Sequence, residues 1–246
     1  MKNLSIIIPV YNCCNVILTC IDNIKSIVEK ITNSYEIIIV DDGSIDETWK
    51  VARSKADENV RVISYYPNVG KGYAIKRGIM SAKGEKIIFI DGDRDIDAEL
   101  LAIYYNALDY NDVVIGSKYH PASNVKVPLR RYILSKLFNV IVNSILRLDI
   151  SDTQVGLKAG KAEVFKKIFE RVLVKRYAFD VEMLVVARLL DYKIAEMPVN
   201  LEINKQFRIS EIIRMVIDIA GIAYRLRILN WYNEPEKIEY KPLIPL

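Results

Sequence analysis

Short apolar runs separated by longer stretches of helical periodicity dominate the first half of the chain. Runs at 4–10, 36–41, 60–64, 86–90 and 112–116 have strand length and are rich in β-branched residues. Between them, residues 14–30, 45–56, 71–82 and 97–108 repeat their apolar positions at helical spacing. This alternation predicts βαβ units around a mostly parallel sheet flanked by helices, an α/β fold. Ser44 followed by Glu47 has the form of a capping box, which puts Asp41-Asp42-Gly43 in the loop before a helix. Residues 117–129, with Pro121 and Pro128, have loop character.

Two later segments are different. Residues 130–148 combine a wide apolar face with a narrow polar stripe at Arg131, Ser135, Asn139, Asn143 and Arg147. Residues 208–229 repeat the design, with Arg208, Glu211, Arg214, Asp218 and Arg225 breaking an otherwise apolar helix. Helices of this kind suit either the core or a membrane interface, and basic residues at the ends and on the stripes favour the interface.

At 246 residues the chain suits one large domain: a nucleotide-binding half over 1–116, a second half over 117–229 with the two amphipathic helices, and a tail over 230–246. Half of the residues are hydrophobic, and the net charge of +4 comes from interleaved acids and bases, so no nucleic-acid footprint appears. Cys13, Cys14 and Cys20 lack metal-ligand spacing and read as reduced thiols. His120, in the expected loop, reads as a surface residue. The opening Met1-Lys2-Asn3-Leu4-Ser5-Ile6 leads directly into a strand, and no run of about 18 apolar residues occurs. The expectation is therefore a chain without signal peptide or spanning helix, peripheral on the cytoplasmic face of a membrane. Its oligomeric state is not indicated.

Candidate chemistry collects where the apolar runs end, the edge at which ligands bind in open α/β sheets. Asp91-Gly92-Asp93 follows Ile87-Ile88-Phe89-Ile90, and Asp41-Asp42 follows Ile37-Ile38-Ile39-Val40. Two carboxylates one residue apart suit a hard divalent cation such as Mg²⁺ or Mn²⁺. Pro9-Val10-Tyr11-Asn12 ends the first run, where a tyrosine can flank a planar base and an asparagine can bond polar ligand groups. Asn68-Val69-Gly70-Lys71-Gly72-Tyr73-Ala74 opens a helix with free backbone N–H groups and a lysine, a setting that attracts phosphate. The first strand runs into Pro-Val-Tyr-Asn and not a glycine fingerprint, which disfavours a nicotinamide dehydrogenase.

In their order along the chain, these four segments resemble the family 2 glycosyltransferases, whose nucleotide-sugar-binding fold is called GT-A. The resemblance implies that Pro9, Tyr11, Asn12, Asp41, Asp42 and Lys71 hold the donor, with Asp91, Gly92 and Asp93 at its ribose and diphosphate. It also implies a divalent cation on Asp91 and Asp93, with Asp95 as a further ligand. Ile115-Gly116-Ser117-Lys118-Tyr119, Asp152-Thr153-Gln154-Val155-Gly156-Leu157-Lys158 and Phe179-Asp180-Val181-Glu182-Met183-Leu184 narrow the likeness to polyprenyl-phosphate sugar synthases. Their form is most similar to the dolichyl-phosphate glucosyltransferase branch, with the mannosyl branch next. Lys118 stands where arginine is usual, giving a point charge in place of a planar fork.

The implied reaction is inverting transfer of one sugar from a nucleotide diphosphate sugar, UDP-glucose ahead of GDP-mannose, to a polyprenyl or dolichyl phosphate. The resemblance places Lys118, Arg131, Ser135 and Arg208 at the acceptor phosphate, and Arg131, Asp180 and Glu182 among the catalytic groups. The alternatives are a carbohydrate or glycolipid hydroxyl acceptor, with Glu182 as the base, and a non-catalytic membrane-bound nucleotide-sugar-binding protein.

Overall fold

A computed structural model of the chain describes residues 2–92, 97–202 and 209–233. The first half alternates as β1 (Lys2–Val10), α1 (Ile17–Ile31), β2 (Tyr35–Asp41), α2 (Thr48–Arg53), β3 (Val60–Ser64), α3 (Lys71–Ser81) and β4 (Gly84–Ile90). A 3₁₀ turn at Ala98–Leu100 leads into α4 (Leu101–Ala107), β5 (Val113–Ser117), β6 (Asn124–Lys126) and α5 (Leu129–Leu146). Then follow β7 (Leu157–Lys161), α6 (Ala162–Arg171), α7 (Phe179–Leu189), β8 (Ile194–Pro198), β9 (Asn200–Glu202), α8 (Ile209–Arg227) and a 3₁₀ turn at Trp231–Asn233.

Seven strands form the central sheet in the order β3-β2-β1-β4-β7-β5-β8, and β6 pairs separately with β9. All pairings in the large sheet are parallel except those of β7, which runs against both β4 and β5. Successive strand residues point to opposite faces, so the sheet is the partition between two apolar layers. Ile7, Ile38, Val40, Phe89 and Ile115 pack on one side with Ile75 and Ile79 of α3 and Phe165 and Phe169 of α6. Ile6, Ile8, Ile37, Ile39 and Ile88 pack on the other with Ile21 and Ile24 of α1 and Tyr104 of α4. Burial on both faces is why the strands read as unbroken apolar runs.

Three local expectations are corrected. Helix α2 starts at Thr48 and Ser44 does not cap it: the Ser44 hydroxyl is bonded to Asp41, and Asp46 accepts from the Thr48 amide at 2.9 Å instead. The loop at 117–129 contains β6, a three-residue strand. The expected tail begins too early, because Tyr232 is buried in the core.

Helices α5 and α8 form where periodicity places them, with a definite facing. On α5 the stripe turns inward except at its last member: Asn139 is buried, Arg131, Ser135 and Asn143 are half-buried, and Arg147, at the helix C-cap, is exposed. Leu129, Ile133, Leu134, Leu137, Val140, Ile141 and Ile145 are exposed. Helix α8 likewise buries Met215, Ile219 and Ile222 and exposes Ile213, Val216, Ile217 and Tyr224. Among the described residues no helix is long and apolar enough to cross a membrane.

Candidate active site

Strands β1, β2, β3 and β4 deliver their carboxyl ends to one edge, and the chain bends there on polar contacts. Asn12 adopts a left-handed backbone (φ 49°) after β1; its amide donates to Ser44 Oγ at 2.9 Å and its Oδ1 accepts from the Ile45 amide at 2.9 Å. Tyr11, beside it, is half exposed and presents its ring to solvent. Pro9, the strand's next-to-last residue, has its carbonyl beside Gly92.

Asp41 and Asp42 are both buried, and each accepts from its own chain. Asp41 bonds the Ser44 amide and hydroxyl and the Ser64 hydroxyl. Asp42 takes the Tyr65 hydroxyl at 2.9 Å, the Asn68 side-chain amide at 2.8 Å, and the Val69 and Gly70 backbone amides at 2.9 Å each. Burial and the Asp42 charge push the Tyr65 phenol far above its ordinary range, so it stays a donor. Asp42 thus fixes the turn that opens α3, while Asp41 holds the Ser44 turn against the end of β3. Gly70 has φ 130°, and a Cβ there would lie 2.5 Å from the Lys175 carbonyl oxygen, so the turn requires glycine.

Lys71, the first residue of α3, crosses to the end of β4. Its ammonium lies 2.6 Å from Asp91 Oδ1 and 2.8 Å from Oδ2, and only the Oδ2 contact has the alignment of a hydrogen bond. A buried carboxylate oxygen with no aligned donor is a hard ligand that fits a divalent cation. Asp93, Asp95 and Arg208, expected at the metal and acceptor, lie outside the described residues.

Beneath Asp91 lies a second pair. Lys158 of β7 is fully buried and donates to Asp180 Oδ1 at 2.7 Å and to the Val155 carbonyl at 2.6 Å. Burial pushes the Asp180 carboxyl above its ordinary range, against the pull of Lys158 and Lys71. Asp91, Lys71, Lys158 and Asp180 are close enough to influence one another.

Glu182 is a correction. It is fully buried and accepts from the Leu173 and Val174 amides, Arg225 and the Tyr232 hydroxyl, so it faces neither a substrate nor the Asp91 edge. The reason is helical geometry: positions i and i+2 point apart, so Asp180 and Glu182 cannot share a target.

A cleft of about 590 Å³ opens beside this edge, lined by Lys118, Tyr119, His120, Tyr132, Lys136, Asn139, Val140, Asn143 and Ser151. Lys118 enters it paired: its ammonium lies 2.6 Å and its backbone amide 2.9 Å from one oxygen of the fully buried Asp152. Tyr119 packs edge-on against Tyr132 with ring centroids 5.4 Å apart. Burial raises its phenol, the nearby Ser135 and Asn139 side chains oppose the shift, and its hydroxyl has no aligned hydrogen-bond partner among the described residues. Asn139 also accepts from the Thr153 hydroxyl at 3.1 Å, tying α5 to the segment before β7. The structure thus groups Pro9, Lys71, Asp91, Gly92 and Asp180 at one centre and Lys118, Asn139 and Asn143 at another, with the half-buried Ser135 and Arg131 one and two turns before Asn139 on α5 and outside the lining of the cleft.

Lys158, Asp152 and Asn139 carry site geometry, although the sequence places them in a motif and on a stripe without indicating a role for any of them. A signal existed for Lys158: a lysine between Leu157 and Ala159 in a strand must be paired if the strand is buried.

Compared with known proteins, residues 5–169 match the family described as Glycosyl transferase family 2. The chain is 34% identical over 248 residues to dolichyl-phosphate beta-glucosyltransferase of Dictyostelium discoideum, covering 93% of this chain and 76% of that one. It is 35% identical over 218 residues to the human protein of the same name, covering 81% and 67%. Its structure is similar to glucosyl-3-phosphoglycerate synthase from Mycobacterium tuberculosis in complex with Mn²⁺, UDP-glucose and phosphoglyceric acid. That match has TM-score 0.67 and 19% identity, covering 91% of this chain and 79% of that one.

Proposed function

The chain belongs to glycosyl transferase family 2, a glycosyltransferase with the GT-A fold, and from that premise we propose that it transfers glucose from UDP-glucose to a dolichyl or other polyprenyl phosphate at a membrane surface. One observation carries the acceptor half of this reading: α5 lines the cleft beside Lys118 with Tyr132, Lys136, Asn139 and Asn143 and turns its leucines and isoleucines outward. An acceptor with a phosphate head and a hydrocarbon tail matches that division. The names of the relatives and the UDP-glucose held by the structural neighbour support the donor.

The chemistry follows from the acceptor. A phosphate monoester has a second pKa of about 6, so its oxygen is largely ionised at neutral pH and attacks without a general base. Glu182, turned inward, supplies no such base, which disfavours a hydroxyl acceptor. What remains is the repulsion between an anionic acceptor and an anionic donor. Lys118, Ser135 and Arg131, with Arg208, would bind the acceptor phosphate, and Lys71 would hold Asp91 in place at the donor. Tyr11, Asn12 and the Asp41–Asp42 turn would shape the nucleoside pocket. A Mg²⁺ or Mn²⁺ ion held by Asp91, with Asp93 and Asp95, would offset charge on the departing diphosphate. The exposed faces of α5 and α8 would rest in the bilayer interface, on its cytoplasmic side.

The test is to mix the protein with UDP-glucose or GDP-mannose, Mn²⁺, and vesicles containing polyprenyl phosphate or the matching polyprenol. Glucosyl lipid forming from UDP-glucose only with the phosphate is the expected result. Transfer to the polyprenol, or to soluble glycans, overturns the acceptor; product from GDP-mannose alone overturns the donor.

A further inference from the structure

We infer that Glu182 is a positioning residue through which helix α8 sets the loop that carries Lys71. One of its oxygens accepts from the Leu173 and Val174 amides at 2.8 and 2.6 Å. The other accepts from the Tyr232 hydroxyl at 2.6 Å and from Arg225 Nη2 at 2.8 Å. Arg225 Nε also donates to the Tyr232 hydroxyl at 3.0 Å, closing a triangle. One buried carboxylate therefore ties the 173–174 backbone to α8 and to the turn after it.

The far side of that backbone is the seat of the donor-side turn. The Tyr73 amide donates to the Lys175 carbonyl at 3.1 Å. A Cβ on Gly70 would come within 2.5 Å of the same carbonyl oxygen, and one on Gly72 within 2.9 Å of the Val174 oxygen and 2.6 Å of Phe179 Cβ. With no gap between them, a shift of 174–175 shifts the Gly70–Tyr73 turn as well. Lys71 sits inside that turn and holds Asp91. Lys76, further along α3, donates to the Val172 carbonyl at 2.9 Å and fastens the same segment from the other side.

Packing alone would not need a charge here. A fully buried carboxylate is costly unless donors surround it, and apolar residues of similar volume would fill the space as well. What the charge adds is direction, because its two oxygens fix two backbone amides relative to Arg225 on α8. The outer face of α8 exposes Ile213, Val216, Ile217 and Tyr224, so whatever seats that face also sets Arg225. The inference rests on the reading above in taking the bilayer as that seat and UDP-glucose as the donor; the linkage from Arg225 to Lys71 does not.

The experiment compares the full chain with its Arg225→Met, Arg225→Lys and Glu182→Gln variants. The first readout, amide hydrogen exchange, needs no substrate. Arg225→Met should speed exchange at Leu173, Val174 and Tyr73 by roughly tenfold or more while leaving α1 and α4 unchanged. Glu182→Gln, isosteric but unable to accept from Arg225 and the two amides together, should act in the same direction. The second readout is turnover: Arg225→Met should raise the UDP-glucose KM by roughly fivefold or more with the acceptor KM unchanged, and Arg225→Lys should restore most of it. Faster exchange at Leu173 and Val174 with Tyr73 unchanged overturns the inference. So does a fall in kcat at constant donor KM, which marks Glu182 as a contact that merely stabilises the fold. A chain that glucosylates some acceptor other than polyprenyl phosphate would fail the earlier reading and leave the exchange result standing.

Discussion

The Asp91 carboxylate lies directly on the backbone of Gly156: a β-carbon on that glycine would sit 1.9 Å from Asp91 Oδ2, and the Asp91 amide donates to the Gly156 carbonyl at 3.1 Å. The carboxylate position is therefore set from below by the absence of a side chain. Gly156→Ala should displace it by a large fraction of an ångström. Misplacements of that size at a reacting centre cost on the order of a hundredfold in rate. Steady-state assays should show that loss in kcat, with circular dichroism unchanged; full activity would mean that Asp91 has room to move.

The outward faces of α5 and α8 should be separable from the fold. Leu137 and Ile217 are 55% and 64% exposed, so charging them removes little buried surface. Leu137→Asp with Ile217→Asp should change unfolding free energy by less than about 0.5 kcal/mol per site. Co-sedimentation with anionic vesicles should fall at least severalfold. Vesicle binding that survives both changes would remove these helices from the interface.

The buried pair of Lys158 and Asp180 should be asymmetric to mutation. Their side chains are 0% and 4% exposed, so Asp180→Asn leaves an ammonium in the core without a counter-charge. Breaking such a pair costs about 3–5 kcal/mol. The double change Lys158→Met with Asp180→Asn should recover most of that loss in urea unfolding, though not activity. If the single variant loses less than about 1 kcal/mol, water reaches Lys158.

At the opposite edge of the sheet, Glu36 should control part of the acid limb of stability. Burial raises its pKa, but the Ser5 hydroxyl, the Lys83 amide and Arg61 outweigh burial and leave it below its ordinary value of 4.5. A carboxyl lowered in the folded state stabilises above the unfolded value, and loses that contribution as pH falls through the folded one. Glu36→Gln should therefore be less stable than wild type by a constant amount from neutral pH down to about 5, and the difference should shrink below 4.5. A difference independent of pH would refute the assignment.

Fold and site were unequally legible in the sequence. Strands buried on both faces leave apolar runs, and β1, β2, β4 and β5 are legible from these; the edge strand β3, Val-Arg-Val-Ile-Ser, is half-exposed and legible from its β-branched residues. Strand β7 escaped because Leu-Lys-Ala-Gly-Lys looks polar, although Lys158 is neutralised by a partner 22 residues away. The stripe on α5 identified which residues share a face but not which way it turns, since that depends on Asn139 meeting Thr153 and on the cleft beside Lys118. The Asp91–Lys71 centre was legible because both residues stand at strand and helix ends, where the topology brings them together. Glu182 was misread because adjacency in a motif is not adjacency on a helix.

The reversed direction of β7 also orders the assembly of the chain. Strand β5 cannot meet β4, because β7 lies between them and pairs with both. Without β7, strands β1 to β4 would lack the Gly156 backbone that lies under Asp91. The Asp152–Lys161 segment must insert before the halves join, and the same insertion brings in Gly156 and Lys158. Completion of the sheet and assembly of the candidate site at Asp91 thus go together, so truncated or half-folded chains should be inert and not promiscuous.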